Sequence, residues 1–510
     1  MHGDGESSLV PFGTATETHS AVVYFAGDRA YKLKKPVNLG FLDFSTRQAR
    51  AAACARETEL NRRFSPDAYL GVAEVRDPDG RPCDHLVVMR RMPARRQLSA
   101  LVRAGEHVDE PVREVARILA RQHASSPRSI RIDQEGSRGA LSQRWHDNVE
   151  QARHVAAEIV GGPVIDEVAR LAERFLAGRE PLFEARVGDG RVVDGHGDLL
   201  ADDIYCLEDG PRILDCLDFD DRLRWVDGLD DAAFLAMDLE RLGAPGLARL
   251  FVEWYAEYSG DPAPASLRHH YVAYRAFVRA KVCAIKSGQG DLGAGGLARQ
   301  LAELTLRHLR AGTVTMVLVG GLPGTGKTTV AGAVADRLGW AVLSSDQIRK
   351  ELAGLSPRDS AASAYGTGIY TPEWSERCYS ELLHRARMLL AQGESVVADA
   401  SWIAASHRAA AAATAGDVSA QLVQLCCAAP ADLARQRMTS RHGSASDADG
   451  AIARQMAAVM DAWPEATTID TAYGTPQADD VAGLLEALDV IRPHGADQVW
   501  RGARPVILPG

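Results

Sequence analysis

The segment GGLPGTGKTT, at residues 320–329, has the residue types and the spacing needed to hold phosphate. It fits the pattern G-x-x-x-x-G-K-[ST] directly after a β-like run and before a helix-like one. Glycines let the backbone wrap its N–H groups around a phosphate, and the N-terminus of the following helix adds a favourable dipole. We expect Lys327 to reach the β- and γ-phosphates and Thr328 to ligate Mg²⁺. The expected nucleotide-binding residues are Gly321, Gly324, Gly326, Lys327, Thr328 and Thr329.

Three further residues of this half have types that suit phosphate transfer. Asp399 ends the apolar run in ESVVADAS, where a carboxylate can orient Mg²⁺ or simply cap the strand. Asp346 ends the run AVLSSD, and Arg349 follows one helical turn later. Asp346 can accept the proton of an attacking hydroxyl, and Arg349 can hold an anionic group beside it. The alternative is a helix-capping aspartate with a local ion pair.

Two arginines lie in the segment ADLARQRMTSRHG, for which we predict a helix. Arg437 and Arg441 are four residues apart and therefore share one face of such a helix. From that face they can neutralise the charge on a transferring phosphoryl group. The alternative is an ordinary arginine-rich surface helix.

A second constellation lies earlier in the chain, in GHGDLLADDI at residues 195–204 and RILDCLDF at residues 212–219. Asp198, Asp203, Asp215 and Asp218 bring many like charges together, which is costly unless cations, arginines or water offset the repulsion. A divalent metal accounts for the cluster most economically, because carboxylates are the ligands that Mg²⁺ prefers. The alternative is a solvated loop followed by helix caps.

Two different patterns of elements must position these residues. Residues 17–33 alternate as an antiparallel hairpin, a helix is predicted at about 46–64, and HLVVMRRM predicts another strand. The spacing of apolar residues predicts mainly helices over residues 98–310. The exception is residues 191–220, for which we predict two short strands around a loop. After residue 312, strands alternate with helices, which is typical of a parallel sheet with crossover helices.

Composition limits the function classes. A chain of 510 residues, 46% hydrophobic and 25% charged, should form two or more globular domains. The net charge of −10 and the lack of a basic, aromatic-rich stripe argue against a nucleic-acid partner. No apolar run is long enough to span a membrane, and the N-terminus lacks the pattern of a signal peptide, so we expect a cytoplasmic protein. The eight cysteines show no C-x-x-C pair, which argues against zinc.

The second half, about 312–490, resembles the small P-loop kinases, a group that includes gluconate-type sugar kinases, zeta-toxin-like kinases and polynucleotide 5′-hydroxyl kinases. The resemblance is specific at GLPGTGKTT and at the D-x-x-R of Asp346 and Arg349. It implies ATP, or GTP, together with Mg²⁺. It does not identify the acceptor.

The motif H-x-D-x-x-x-x-D of residues 196–203 resembles the catalytic loop of aminoglycoside phosphotransferases and choline kinases. The resemblance implies that Asp198 is the base and that Asp203 stands where the family has a metal-binding Asn. It also implies that Asp215 or Asp218 is the second metal ligand, and the sequence leaves these two open. Asp203 keeps an oxygen ligand but adds a negative charge, so we expect an altered affinity for metal.

The upstream half of this region supports the same resemblance. Lys32 lies in a predicted strand, where the family has its phosphate-binding Lys, and Glu57 lies on a predicted helix, where the Lys–Glu ion pair would form. Lys34 points to the same side of the strand and is an alternative. The sequence departs from the pattern of protein kinases in a further respect, because TATETHSA stands where a glycine-rich loop would precede Lys32.

These observations together predict a protein-kinase-like α+β fold of the aminoglycoside phosphotransferase type, followed by an α/β P-loop kinase domain with a parallel sheet. The predicted domains span 1–310, with a small lobe to about 95 and a helical lobe from about 96, and 311–492, with a tail at 493–510. The predicted function is ATP-dependent transfer of phosphate to a hydroxyl of a small polar molecule such as a sugar, an aminosugar or an aminoglycoside-like compound. Two alternatives stay open: the P-loop half gates the first half as a regulatory or toxin-like kinase, or it phosphorylates nucleic-acid 5′-hydroxyls.

Overall fold

The computed structural model describes residues 14–17, 20–38, 43–356, 359, 366–440 and 450–472. Contacts between Cα atoms divide the chain into two compact units. The first unit comprises Met1–Ser137 and Arg186–Asp261, and the second comprises Arg138–Ala185 and Pro262–Gly510. Among the helices that the structure describes, none is both long and apolar enough to cross a membrane.

The first unit begins with a five-stranded antiparallel sheet in the order β1-β2-β3-β5-β4, against which helix α1 packs. Their bounds are β1 (Thr14–Glu17), β2 (Ala21–Ala26), β3 (Arg29–Lys34), α1 (Arg47–Arg62), β4 (Tyr69–Arg76) and β5 (Pro82–Arg90). Thr46 caps α1, because its hydroxyl accepts a hydrogen bond from the Ala49 N–H at 3.1 Å. Cys54 of α1 and Val87 of β5 are fully buried between the helix and the sheet. The predicted hairpin, helix and strand are therefore present.

Helices dominate the chain from residue 98 to residue 311. The first group comprises α2 (Leu98–Arg103), α3 (Asp109–Ser125), α4 (Ile130–Glu135), α5 (Arg138–Val155), α6 (Ala157–Val160), α7 (Gly162–Leu176) and α8 (Glu180–Gly188). Four short strands follow, and then four helices: β6 (Val192–Asp194), β7 (Ile204–Leu207), β8 (Gly210–Ile213), β9 (Trp225–Asp227), α9 (Gly228–Arg241), α10 (Pro245–Ser259), α11 (Ala265–Gly288) and α12 (Ala294–Ala311). The two strands predicted between residues 191 and 220 correspond to β6 and β8. They do not pair with each other, because β6 pairs with β9 and β8 pairs with β7.

A parallel five-stranded sheet forms the core of the second unit, in the order β11-β12-β10-β13-β14. Its strands and helices are β10 (Thr315–Gly320), α13 (Lys327–Leu338), β11 (Ala341–Ser344), α14 (Ser345–Leu352), α15 (Pro372–Ala391), β12 (Val396–Asp399), α16 (Ala405–Asp417), β13 (Gln421–Ala428), α17 (Ala431–Thr439), α18 (Gly450–Ala458) and β14 (Thr467–Asp470). Every residue of β10 is buried, which explains its continuous apolar sequence. The predicted fold class is confirmed in both parts.

Helices from before residue 311 pack tightly against this sheet region within the second unit. A Cβ atom on Gly178, just after α7, would lie 2.6 Å from the Cα of Val418, which precedes β13. The Ser266 hydroxyl, at the start of α11, donates a hydrogen bond to the Gly393 carbonyl at 2.6 Å. The compact units therefore group α5–α7, α11 and α12 with the parallel sheet. The domain boundary at residues 310/311 stays a prediction.

Two predicted positions need correction. Asp346 does not end a strand, because β11 ends at Ser344 and Asp346 lies in the first turn of α14. The helix that carries Arg437 ends at Thr439, so it does not extend to Arg441. Arg441 lies outside the described residues.

Candidate active sites

The loop between β10 and α13 adopts a conformation that requires glycine. Gly321, Gly324 and Gly326 have φ angles of 128°, 82° and 87°. A Cβ atom on Gly324 would overlap the carbonyl oxygen of Ala434 and lie 2.9 Å from its carbonyl carbon. The loop therefore wraps closely and ends at the N-terminus of α13, as a cradle for phosphate requires.

The first turn of α13 brings together the residues predicted to hold Mg²⁺ in the second unit. The Thr328 hydroxyl donates a hydrogen bond to Oδ2 of Asp399 at 2.8 Å. This contact follows from the topology, because β10 and β12 are neighbours and both end at the same edge of the sheet. Lys327 donates from Nζ to the Leu322 carbonyl at 3.0 Å, and Thr329 is exposed on the same turn. A hydroxyl and a carboxylate are oxygen donors of the kind that Mg²⁺ prefers, so the residues present fit that ion.

Asp346 and Arg349 lie on α14, which starts at the same edge of the sheet. Arg349 is buried, donates from Nη1 to the Ile369 carbonyl at 3.0 Å, and lies over the Tyr370 ring at 5.1 Å. Its Nε has no hydrogen-bond partner within the described residues. Asp346 is half-buried. Arg349 is thus held by a carbonyl and an aromatic ring, and a buried donor is left for another acceptor.

Arg437 is bonded to the residue that follows β14. Its guanidinium donates to Oγ1 of Thr471 at 3.1 Å and to the carbonyl of Thr471 at 2.6 Å. The Thr471 hydroxyl in turn donates to the Thr325 carbonyl in the phosphate loop at 2.8 Å. Arg437 is therefore connected to the loop through one residue.

Sequence reasoning missed a tyrosine that supports the phosphate loop from α15. The hydroxyl of Tyr379 lies 3.1 Å from the hydroxyl of Ser401 and accepts the backbone N–H of Trp402 at 3.1 Å. The carbonyl of Ser401 accepts the N–H of Gly321 at 3.1 Å. Trp402 is fully buried and has a φ of 51°, a conformation rare for a bulky residue. The segment after β12 is therefore fixed on one side by Tyr379 and on the other by the phosphate loop.

In the first unit, both candidate lysines of β3 pair with the predicted glutamate of α1. Lys32 Nζ lies 2.9 Å from Oε1 of Glu57 and 2.7 Å from Oδ1 of Asp215. Lys34 Nζ lies 2.7 Å from Oε2 of Glu57 and 2.7 Å from Oδ2 of Asp218. The two lysines lie on the same side of β3, as their spacing predicts. Each lysine thus joins the shared glutamate to a different aspartate.

The charges of this network shift the pKa values of its members. Burial opposes the charge of Lys32, but Asp215 and Glu57 outweigh burial and raise its pKa well above the ordinary value. Burial likewise opposes the charge of Glu57, and the two lysines outweigh it and lower the pKa of Glu57. Lys32 also lowers the pKa of Asp215. The directions of these pKa shifts favour the charged forms of Lys32, Glu57 and Asp215 at neutral pH.

Asp203 lies beside like charges. Burial, followed by the charges of Asp215 and Asp198, raises the pKa of Asp203 well above its ordinary value. Asp215 therefore shares the environment of Asp203 and Asp198, whereas Asp218 pairs with Lys34. A cation between these carboxylates would offset the repulsion, so the residues present fit Mg²⁺.

His196 and Asp231 hold the loop that carries Asp198. His196 donates from Nε2 to the Leu214 carbonyl at 3.0 Å, and its Nδ1 faces the N–H of Asp198 at 3.4 Å. Burial lowers the pKa of His196, which keeps the imidazole neutral. Asp231 accepts the N–H groups of His196 and Gly197 at 2.7 and 2.8 Å. The loop is therefore fixed through its backbone by a buried carboxylate.

Asp231 is itself held by a buried chain of hydrogen bonds that sequence reasoning did not find. His123 donates from Nε2 to Asp231 at 3.0 Å, and His123 Nδ1 lies 2.9 Å from the Tyr255 hydroxyl. Burial disfavours a charge on Asp231, but His123 and the bonded backbone lower its pKa below the ordinary range. A Cβ atom on Gly228 would lie 2.9 Å from His123 Nδ1, so this glycine makes room for the chain of bonds.

The turn at Asp215 is also fixed by residues of β4 and α1. Asp215 has a φ of 62°, and its N–H donates to the Tyr69 hydroxyl at 3.1 Å. The N–H of Cys216 donates to Oδ1 of Asn61 at 2.8 Å. These bonds hold an unfavourable backbone conformation and direct Asp215 toward Lys32.

Within the described part of the chain, no group of three or more His, Cys, Asp or Glu side chains is arranged to hold a metal ion. The ligand roles of Asp203, Asp215, Asp218, Thr328 and Asp399 stay predictions.

Comparisons with known proteins match both parts of the chain. A family model described as an AAA domain matches residues 316–463. An uncharacterized protein of Mycobacterium tuberculosis is 43% identical over 462 residues, which cover 91% of this chain and 93% of the relative. A choline/ethanolamine kinase family protein from Mesorhizobium loti is 16% identical, with a TM-score of 0.37, over 60% of this chain and 94% of that chain. A sugar kinase from Janibacter sp. is 21% identical, with a TM-score of 0.27, over 35% of this chain and 95% of that chain.

Proposed function

The chain belongs to the same family as the uncharacterized mycobacterial protein, and we propose that it is an ATP-dependent phosphotransferase with two nucleotide-binding modules. The acceptor is a hydroxyl of a small polar molecule such as a sugar, an aminosugar or an aminoglycoside-like compound. The observation that carries the proposal is the hydrogen bond between Thr328 and Asp399 beside the glycine cradle. It joins the two expected oxygen ligands of a nucleotide-bound cation at the start of α13, where phosphate binds best.

In the second unit, each residue has a separate task in the proposed mechanism. The backbone of the glycine loop and Lys327 bind and orient the phosphates of the nucleotide. Mg²⁺ bound with the nucleotide would be held by Thr328 and Asp399 and would neutralise phosphate charge. Asp346 accepts the proton of the acceptor hydroxyl. The Nε–H of buried Arg349, which has no partner among the described residues, binds the acceptor or its phosphorylated oxygen. Arg437 holds the segment after β14 against the loop.

In the first unit, the ion pair between Lys32 and Glu57 orients Lys32 toward the phosphates of a second nucleotide. Asp198 accepts the proton of the acceptor hydroxyl. Asp203 and Asp215 are the residues that would hold Mg²⁺, because burial and the nearby negative charge of Asp215 both raise the pKa of Asp203. Asp218 is assigned a different task, since it neutralises Lys34 on the far side of Glu57.

Single-residue variants test the two modules separately. ATP consumption should be screened against sugars, aminosugars, aminoglycosides and 5′-hydroxyl oligonucleotides with the wild type, Lys327→Ala and Asp198→Asn. We expect each variant to lose one phosphotransfer activity by about 10²-fold or more, because a positioned base or phosphate ligand contributes that much. Lys286→Ala, an exposed change on α11, is the matched control for Lys327→Ala.

The screen also separates the alternatives. Loss of all activity in both variants supports gating of the first module by the P-loop module. Phosphorylation of oligonucleotides alone supports a nucleic-acid end kinase. Unchanged acceptor phosphorylation in Asp198→Asn contradicts a catalytic first module.

A further inference from the structure

A small cavity in the second unit is lined by two arginines and is separate from both candidate active sites. Arg174 lies in the last turns of α7, and Arg179 lies just after this helix. Most of the remaining lining is apolar and comes from Leu171, Phe175, Leu309 and Val314. The cavity has room for about one water-sized particle.

Arg179 is a buried cation without a carboxylate partner among the described residues. Its side chain belongs to a residue that is only 1% exposed, and its Nη1 donates to the carbonyl of Val418. Its Nε has no hydrogen-bond partner in the described part of the chain. Arg174 is half-buried and, among the described residues, donates from Nε to the Ser419 carbonyl at 3.4 Å. Within the described residues, the protein groups that contact these two neighbouring positive charges are neutral: two backbone carbonyls and the Phe175 ring, whose centroid lies 6.0 Å from the Arg179 guanidinium.

Arg179 keeps its charge in this environment. Burial, together with the charge of Arg174, lowers the pKa of Arg179 to about 10, so the guanidinium is still protonated at neutral pH. A buried charge is costly unless an opposite charge or several hydrogen bonds compensate it. A water molecule in the cavity would accept hydrogen bonds but would leave the charge uncompensated.

The turn that precedes Arg179 is closely packed. The neighbouring Gly178 has a φ of 74°, and a Cβ atom there would lie 2.6 Å from the Cα of Val418. The turn after α7 is thus pressed against the turn before β13. Ser419 in that second turn has a φ of 51°, which is uncommon for a residue with a side chain. The two closely packed turns place Arg179 beside the cavity, and the backbone of Ser419 is held there in an unfavourable conformation.

We propose that the cavity lined by Arg174 and Arg179 binds one small monovalent anion of the halide class, such as chloride. The space fits a single atom-sized ion and is too small for phosphate or a nucleotide. The anion accepts hydrogen bonds from the guanidinium groups and compensates their charge. It thereby joins the turn after α7 to the turn before β13 within the second unit.

Bromide provides a direct probe of this site. Crystals of the full chain grown or soaked in sodium bromide should show an anomalous scattering peak within contact distance of Arg179. In solution, the midpoint of thermal unfolding should rise by about 2–4 °C with chloride at constant ionic strength and should then saturate, as for a ligand that binds only the folded state. A buffer with a large organic anion is the reference.

Variants separate this site from other anion sites. Arg174→Gln should abolish the saturable chloride effect, and Arg179→Leu should do the same if it folds. Arg170→Gln, on the same helix and paired with Glu167 at the surface, should keep the effect. The saturable stabilisation by chloride should also persist in Lys327→Ala, because the phosphate loop does not contribute to this site.

Three results would overturn the proposal. The first is the absence of a bromide peak beside Arg179, which would indicate a water molecule only. The second is a saturable chloride effect that survives Arg174→Gln. The third is stabilisation of the Lys327→Ala variant by inorganic phosphate to the same extent as by chloride, which would exclude a site limited to halides.

Discussion

Replacing Gly324 by alanine places a methyl group where the main chain of Ala434 already lies. The new Cβ atom would overlap the carbonyl oxygen of Ala434 and lie 2.9 Å from its carbonyl carbon and 3.1 Å from its Cα. These are backbone atoms at the start of α17, so the clash cannot be relieved by a flexible side chain. Gly324 also has a φ of 82°, which costs a residue with a Cβ about 1–2 kcal/mol. The phosphate loop must therefore change its conformation in the variant.

The expected loss of nucleotide affinity in Gly324→Ala follows from the unfavourable φ angle and from the clash with the main chain of Ala434. The φ term and a modest backbone shift together amount to about 2 kcal/mol, or roughly a 30-fold loss of nucleotide affinity if the loop must return to its original conformation to bind. Gly332→Ala is the matched control, because Gly332 lies inside α13 with no atom within 4 Å of the added methyl group. In a helix interior this change should stabilise the protein by about 0.5–1 kcal/mol.

Binding of a fluorescent ATP analogue and thermal unfolding measure the two effects. We expect weaker binding in Gly324→Ala, and wild-type binding with a slightly higher unfolding temperature in Gly332→Ala. Wild-type affinity in Gly324→Ala would refute the assignment of this loop as the phosphate cradle. Equal losses in both variants would show that the measured effect is not specific to the loop.

Three more predictions concern the first unit. Asp203→Asn should retain phosphotransfer activity with a shifted Mg²⁺ requirement, whereas Asp203→Ala should lose the activity. A Mg²⁺ titration of the activity measures both effects. Full activity of Asp203→Ala would show that Asp203 is not a metal ligand. Lys32→Ala should raise the KM for ATP at least about 10-fold, whereas Lys35→Ala, on the same segment but paired with the exposed Glu17, should leave it unchanged in steady-state kinetics. Asp231→Ala should reduce the free energy of unfolding by about 3–5 kcal/mol, because the change leaves two backbone N–H groups and His123 without their acceptor. A urea unfolding curve with an unchanged midpoint would contradict this expectation.

The sequence was sufficient to predict the fold class of both parts of the chain, whereas the ligand roles of the candidate site residues stay predictions. Strand β10 is buried on both faces and is therefore apolar throughout, which made the parallel sheet recognisable. The contact between Thr328 and Asp399 could be anticipated because neighbouring parallel strands present their ends at one edge. The pairing of both Lys32 and Lys34 with Glu57 could not be anticipated from the sequence. The spacing places the two lysines on one side of a strand, but it does not show that one glutamate of a distant helix pairs with both of them.

The supporting residues were missed for a different physical reason. A residue that touches phosphate or metal must offer particular atoms, so its type and spacing are restricted. Asp231 and Tyr379 instead bond backbone N–H groups, which nearly every residue offers, and their positions depend on how helices from distant parts of the chain pack. Such residues have no motif. They become recognisable only when the loop that they hold is known, which is why the loop of Asp198 was found from the sequence and its buried anchor was not.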